Sequence, residues 1–166
     1  FKTARYREFW QYGCEIIGAS GPLVEAEVVA FAISLMRAAD VADWSMKIGH
    51  VGILNDLLAG LSIPEGSRRD VMRLLDKGDF AGLTGKGVAE DAAAKLEAFA
   101  SLSGGTDVMQ DARAMLEDMG IATDSLDSLA EMMSSLSGLV PDMPETTIDL
   151  TVSRGLDYYT GTVFEF

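Results

Sequence analysis

The sequence predicts an α+β fold, a sheet with flanking helices interrupted by an all-helical insertion, and three observations carry that prediction. Apolar and polar residues alternate with a period of two near the start of the chain and again near its end. Between Pro64 and Pro144 every periodic segment instead has helical spacing. Breaker residues mark each change of pattern: Gly18 to Pro22, Ser62 to Pro64, and the pair Pro141 and Pro144. The resulting division is 1–62 and 144–166 for a sheet-based domain and 63–143 for a helical insertion domain.

The first element runs from Phe9 to Ile17. Phe9, Gln11, Gly13 and Glu15 fall on one side of a strand, and Trp10, Tyr12, Cys14 and Ile16 fall on the other, apolar side that suits a core. Gly18-Ala-Ser-Gly21-Pro22 reads as a turn. Val24, Val28, Phe31 and Leu35 then give a helical stripe ending near Arg37. Trp44 to Gly49 reads as a strand and Val51 to Leu61 as a helix closed by Ser62-Ile63-Pro64.

In the insertion, Ser67 with Asp70 has capping-box spacing and opens a helix through Leu75. Three further stripes follow: Val88, Ala92, Leu96 and Phe99; Val108, Ala112, Met115 and Met119; and Leu126, Leu129, Met133 and Leu136. Gly120 and Gly138 stand where helix C-caps belong, and Gly78 to Gly87 and Ser101 to Gly105 read as loops. Period two returns from Thr146 to Val152, with Ile148, Leu150 and Val152 on one face, and Thr162 to Phe166 reads as the next strand.

Composition narrows the function. At 166 residues, 48% hydrophobic and 23% charged, the chain can bury a real core. Its apolar stretches are interrupted well before the roughly 18 residues a membrane span needs, so no membrane partner is expected and the chain is read as soluble and cytoplasmic. The single cysteine, Cys14, excludes an internal disulfide, and its place on the apolar face suits a buried, inert thiol. The single histidine, His50, leaves nothing for a multi-histidine metal site, and it is read as a structural strand-to-helix junction; no protein metal site is expected. The net charge of −13 argues against a broad basic nucleic-acid-binding face. From Ile63 to Asp142 there are 15 acids and 7 bases, whereas the first twelve residues hold Lys2, Arg5 and Arg7 against Glu8 alone. Phe1 is not Met, and Phe166 falls in an apolar aromatic run, so the chain is expected to be an internal piece of a longer protein.

Two constellations can carry chemistry. Gln11 and Glu15 share one strand face with roots roughly 13 Å apart and can line one elongated pocket. Arg5 and Arg7 precede them, where bidentate hydrogen bonds to phosphates are within reach. The bland alternative is a solvated strand face with surface arginines. The second constellation, Arg154, Asp157, Tyr158 and Tyr159, is flanked by Gly155 and Gly161. Arginine can neutralise a carboxylate or phosphate, and a tyrosine hydroxyl can serve an imidazole; equally, the segment can be a hairpin whose tyrosines are core and edge aromatics. Strict alternation puts Arg154 on the apolar face of Val152, so a ligand role requires a bulge or twist near Gly155.

Taken together, Arg5-Tyr6-Arg7-Glu8-Phe9-Trp10-Gln11-Tyr12-Gly13-Cys14-Glu15-Ile16-Ile17-Gly18 resembles the end of the motif 2 loop and returning strand of class II synthetases, and Arg154-Gly155-Leu156-Asp157-Tyr158-Tyr159-Thr160-Gly161 resembles the histidine-binding signature of histidyl-tRNA synthetases. Ile48-Gly49-His50-Val51-Gly52-Ile53-Leu54 is similar to a segment between them, more weakly, and the insertion matches in position and helical character. The resemblance implies part of a class II synthetase fold, an antiparallel sheet with flanking helices, and a two-step reaction: ATP-dependent activation of L-histidine to histidyl-adenylate, then transfer to tRNA(His). By this resemblance Phe9 stacks on adenine, and Arg5 and Arg7 approach ATP phosphates or the tRNA end. Gln11 and Glu15 hold the amino group and imidazole of histidine. Arg154 is the catalytic residue at the junction of substrate carboxylate and α-phosphate, and Tyr158 with Tyr159 closes the histidine pocket. Mg²⁺ is expected with ATP, a homodimer is expected for the parent, and the isolated chain is expected to be inactive. The acidic insertion would approach tRNA by shape or through Arg68, Arg69 and Arg73. Two other readings stand beside this one: the synthetase-like regulatory subunit of ATP phosphoribosyltransferase, and a non-catalytic helical interaction module.

Overall fold

A computed structural model describes residues 8–152 and 159–166. After an extended segment, 8–17, the chain forms α1 (Pro22–Ala38), β1 (Met46–His50), α2 (Val51–Gly60), α3 (Glu65–Asp76), α4 (Glu90–Ala100), β2 (Ser103–Gly104), α5 (Val108–Asp118), α6 (Asp124–Leu139), β3 (Thr146–Asp149) and β4 (Thr162–Glu165). The α+β character predicted from the patterns is therefore present. The four strands make one sheet in the order β2-β3-β1-β4. It is mixed rather than the wholly antiparallel sheet that the resemblance implied: β1 runs parallel to β3, whereas the β1–β4 and β2–β3 pairs are antiparallel. The parallel pair follows from the connection, because everything from α2 to α6 lies between β1 and β3 and so returns the chain to the same end of the sheet.

The helices form largely where the periodicity puts them. Val88, Ala92, Leu96 and Phe99 are all buried, as are Leu126, Leu129, Met133 and Leu136. In α5 the buried residues are Val108, Ala112 and Leu116, with Met115 and Met119 packed at the margin of the core. The core is continuous from Ala26, Val29 and Ile33 of α1 through Ile48 of β1 to Phe99, Leu129 and Leu150. Residues 63–143 thus share apolar contacts with the sheet, and β2, inside that stretch, adds an edge strand to it.

Several expectations are corrected. Residues 8–17 form no strand, and Trp10 (89% exposed), Tyr12 (83%) and Ile16 (40%) face solvent where alternation put a core face. A strand is completed by a neighbour's hydrogen bonds, and none of the four described strands pairs with this segment. Cys14 is accordingly exposed. In α1 the buried face is Ala26, Val29 and Ile33, while Phe31 and Leu35 of the predicted stripe are exposed. The Ser67 and Asp70 capping box does not form, because α3 begins earlier, at Glu65 directly after Pro64. Asp70 instead accepts from Arg73 (3.0 Å) and Lys86 (2.8 Å). Gly120, with φ 67°, follows the α5 C-cap as expected, whereas Gly138 lies inside α6. The loop at 78–87 contains two short 3-10 turns, Phe80–Gly82 and Thr84–Lys86.

The strand starting at Thr146 ends at Asp149 rather than Val152. Asp149 Oδ1 accepts hydrogen bonds from the Thr151 amide (2.9 Å) and hydroxyl (2.7 Å), so the backbone turns through Leu150 and Thr151. Aspartate offers that local partner readily, and the turn competes with the ladder. Regular alternation therefore stops before it reaches Arg154. Gly155, where a break was required, lies outside the described residues.

Candidate functional site

Two chain segments approach each other beside the N-terminal end of α1. Gln11, Gly13, Cys14, Glu15, Ile16, Ile17 and Tyr159 line one open cleft of about 990 Å³. The first wall is the extended segment that leads through Gly18 (φ 87°) and Gly21 (φ 107°) into α1. These two glycines adopt left-handed backbone that other residues rarely hold, and Pro22 then starts the helix with its fixed φ. The second wall carries Tyr159 and runs through Gly161 into β4.

The structure therefore brings Gln11, Glu15 and Tyr159 together, three of the residues selected from sequence. Phe9 lies outside the cleft lining and is 74% exposed. Arg5, Arg7, Arg154 and Tyr158 lie outside the described residues. Chemically, the cleft offers a carboxylate, a carboxamide and a phenol, a set able to accept from an ammonium or imidazolium and to exchange hydrogen bonds with a neutral imidazole. No three His, Cys, Asp or Glu side chains converge on a metal geometry among the described residues.

A set of polar side chains far apart in sequence joins α1, β1, α2, α6 and β4. His50 ends β1 and N-caps α2: the Gly52 N–H donates to its Nδ1 at 3.1 Å, so the neutral ring carries its proton on Nε2. Burial pushes the His50 pKa below its ordinary value, opposed by the negative charges of Glu25 and Asp56. The Ser125 hydroxyl donates to Asp56 Oδ2 at 2.5 Å, joining α6 to α2. Gly52 is needed there for space, since a Cβ would stand 2.6 Å from Ser125 Oγ and 2.8 Å from the His50 ring. In β4, the Thr162 hydroxyl donates to Glu25 Oε2 at 2.5 Å. Thr162 is also the cross-strand neighbour of His50, and the Gly161 carbonyl accepts from the Val51 amide at 3.0 Å. The role of His50 as a junction was legible from its place between a strand and a helix pattern. Glu25 and Thr162 gave no local signal, because they are 137 residues apart and only the fold brings them together.

A sequence profile described as histidyl-tRNA synthetase matches residues 2–166, nearly the whole chain. The chain belongs to the histidyl-tRNA synthetase family. Among curated relatives, the histidine–tRNA ligase of Archaeoglobus fulgidus is 39% identical over 170 residues, covering 99% of this chain and 38% of the relative. The histidine–tRNA ligase of Methanocaldococcus jannaschii is 32% identical, covering 99% of this chain and 39% of the relative. This chain thus spans under two fifths of the length of these relatives. Among solved structures, a histidyl-tRNA synthetase from Nostoc sp. PCC 7120 superposes with a TM-score of 0.80 at 21% identity, over 89% of this chain and 37% of the other, which bears on the fold. A Bacillus halodurans protein described as an ATP phosphoribosyltransferase regulatory subunit/histidyl-tRNA synthetase gives a TM-score of 0.75 at 25% identity, over 89% of this chain and 40% of the other.

Proposed function

We propose that this chain forms part of the catalytic domain of a histidine–tRNA ligase and supplies two walls of its histidine pocket. The supporting observation is the shared cleft of Gln11, Glu15 and Tyr159, formed by segments separated by more than 140 residues of sequence. In this reading Glu15 and Gln11 receive the amino group and imidazole of L-histidine, and Tyr159 with Tyr158 closes over the ring. A wrong side chain leaves those polar groups unpaired, which is how such a site discriminates strongly.

In the complete protein, a histidine carboxylate oxygen attacks the α-phosphorus of ATP, the bond to the bridging oxygen breaks, and pyrophosphate leaves. Arg154 is the group proposed to stabilise the charge that develops at that junction, with Arg5 and Arg7 toward the phosphates and Phe9 against adenine. The histidyl group then passes to the terminal adenosine of tRNA(His). Mg²⁺ is proposed to accompany the ATP phosphates, the usual partners of this ion in nucleotide sites. No described helix is long and apolar enough to cross a membrane; a cytoplasmic homodimer is the expected setting. Residues 63–143 are proposed as an insertion domain directed at tRNA. Arg68 already donates to the Ile63 carbonyl (3.0 Å) and Arg73 pairs with Asp70, which favours contact through shape over contact through these two cations.

One second reading has an observation behind it, the regulatory-subunit description of the Bacillus halodurans neighbour. In the complete parent protein, both readings predict that histidine raises the melting temperature, by up to about 2.7 kcal/mol of added stability at a hundredfold excess over Kd. A ligase alone also exchanges pyrophosphate into ATP when histidine is present. An absence of any thermal shift with histidine or histidinol would remove the histidine pocket from both readings.

A further inference from the structure

The two walls of the cleft are continuous with two regular elements, the Gln11 and Glu15 wall with α1 and the Tyr159 wall with β4. A side-chain bond joins those elements where the walls meet them. Glu25, in the first turn of α1, accepts the hydroxyl hydrogen of Thr162, the first residue of β4, at 2.5 Å. Its other oxygen, Oε1, stands 2.9 Å from the position a Cβ on Gly161 would take, so the carboxylate sits close beside Gly161, two residues past Tyr159. The Gly161 carbonyl also accepts from the Val51 amide at 3.0 Å. Glu25 is ten residues past Glu15 and Thr162 three past Tyr159, so a shift of α1 against β4 changes the separation of the two walls directly.

We infer that Glu25 is a positioning residue for histidine, a latch that through Thr162 sets the width of the cleft without touching the substrate. This rests on the histidine-pocket reading above. A hydrogen bond to a carboxylate is shorter and stronger than a neutral one, which suits a part that must hold two walls in register. Misplacement of binding groups by about 1 Å far from the reacting atoms can cost on the order of a hundredfold, so a latch of this kind has a measurable signature.

The test uses the complete parent synthetase and histidine-dependent ATP–pyrophosphate exchange. In Glu25→Ala the KM for histidine should rise about tenfold or more while the KM for ATP changes less than about twofold. Thr162→Val, which removes the donor at nearly constant volume, should do the same. The double variant should be no worse than either single one, because both remove one bond. Glu25→Gln keeps an acceptor and Thr162→Ser keeps the donor, and each should return the histidine KM to within about threefold of the parent's. A histidine KM unchanged in folded Glu25→Ala and Thr162→Val would overturn the latch. So would equal rises in the histidine and ATP KM values, or conservative variants no better than the deletions, since general destabilisation has those signatures. An unmodified parent that shows no histidine-dependent exchange would refute the pocket reading itself, and the latch with it.

Discussion

His50 holds a proton balance that can be read in the stability of the fold. Its Nδ1 accepts the Gly52 amide and its ring is buried, and burial lowers its pKa despite the nearby charges of Glu25 and Asp56. The folded state therefore takes up the proton less readily than the unfolded chain, whose imidazole titrates near 6.5. Stability from the neutral ring is fully present above that value and is lost as pH falls through the unfolded and then the folded pKa. Denaturant unfolding of the chain should give a level free energy from pH 8 to about 7 and a decline as pH falls below about 6.5. His50→Asn retains an N-cap acceptor without the titration, so its curve should stay level until carboxylates begin to protonate. Identical pH profiles for the two would remove His50 as the source. The junction role of this residue was legible, because a lone histidine between a strand pattern and a helix pattern has few other uses. Its polar surroundings were not, since Glu25, Asp56, Ser125 and Thr162 are scattered over the whole sequence.

At the level of elements, α6 packs against α1 and carries Leu126, Leu129, Met132, Met133 and Leu136 into the core. Leu129 is fully buried, and Leu129→Ala should cost about 2–5 kcal/mol, read as a lower denaturation midpoint at unchanged slope. A loss below about 0.5 kcal/mol would mean that α6 does not pack as described. The stripe of α6 could be read in advance because helical period is a property of one segment. The face of α1 could not. That helix has apolar residues nearly all round, from Leu23, Val24 and Ala26 to Val28, Val29, Phe31, Ile33 and Leu35, so periodicity does not select Ala26, Val29 and Ile33 over the alternatives. Strands were less legible for a related reason. Alternation in 9–17 marks two faces, but whether a strand forms depends on a neighbouring ladder that the segment's own residues do not specify. The early end of β3 has a local cause, the Asp149 carboxylate competing for Thr151, and an aspartate in that strand pattern was its available sign.

Across the molecule, the largest result is the meeting of two distant segments. The sequence resemblance named Gln11, Glu15 and Tyr159 for histidine, and the fold places them on one cleft although nothing in either segment alone fixes their separation. That separation depends on the sheet order, with β4 beside β1 and α1 latched to Thr162. Histidine-dependent ATP–pyrophosphate exchange by the complete parent decides whether this cleft is the histidine site of a ligase. Exchange is expected with L-histidine and with none of the other standard amino acids, reduced on the order of a hundredfold or more in a folded Glu15→Ala variant, where an imidazole or ammonium partner is lost. Exchange driven by another amino acid, or exchange with histidine at the parent's rate in Glu15→Ala, would contradict that assignment.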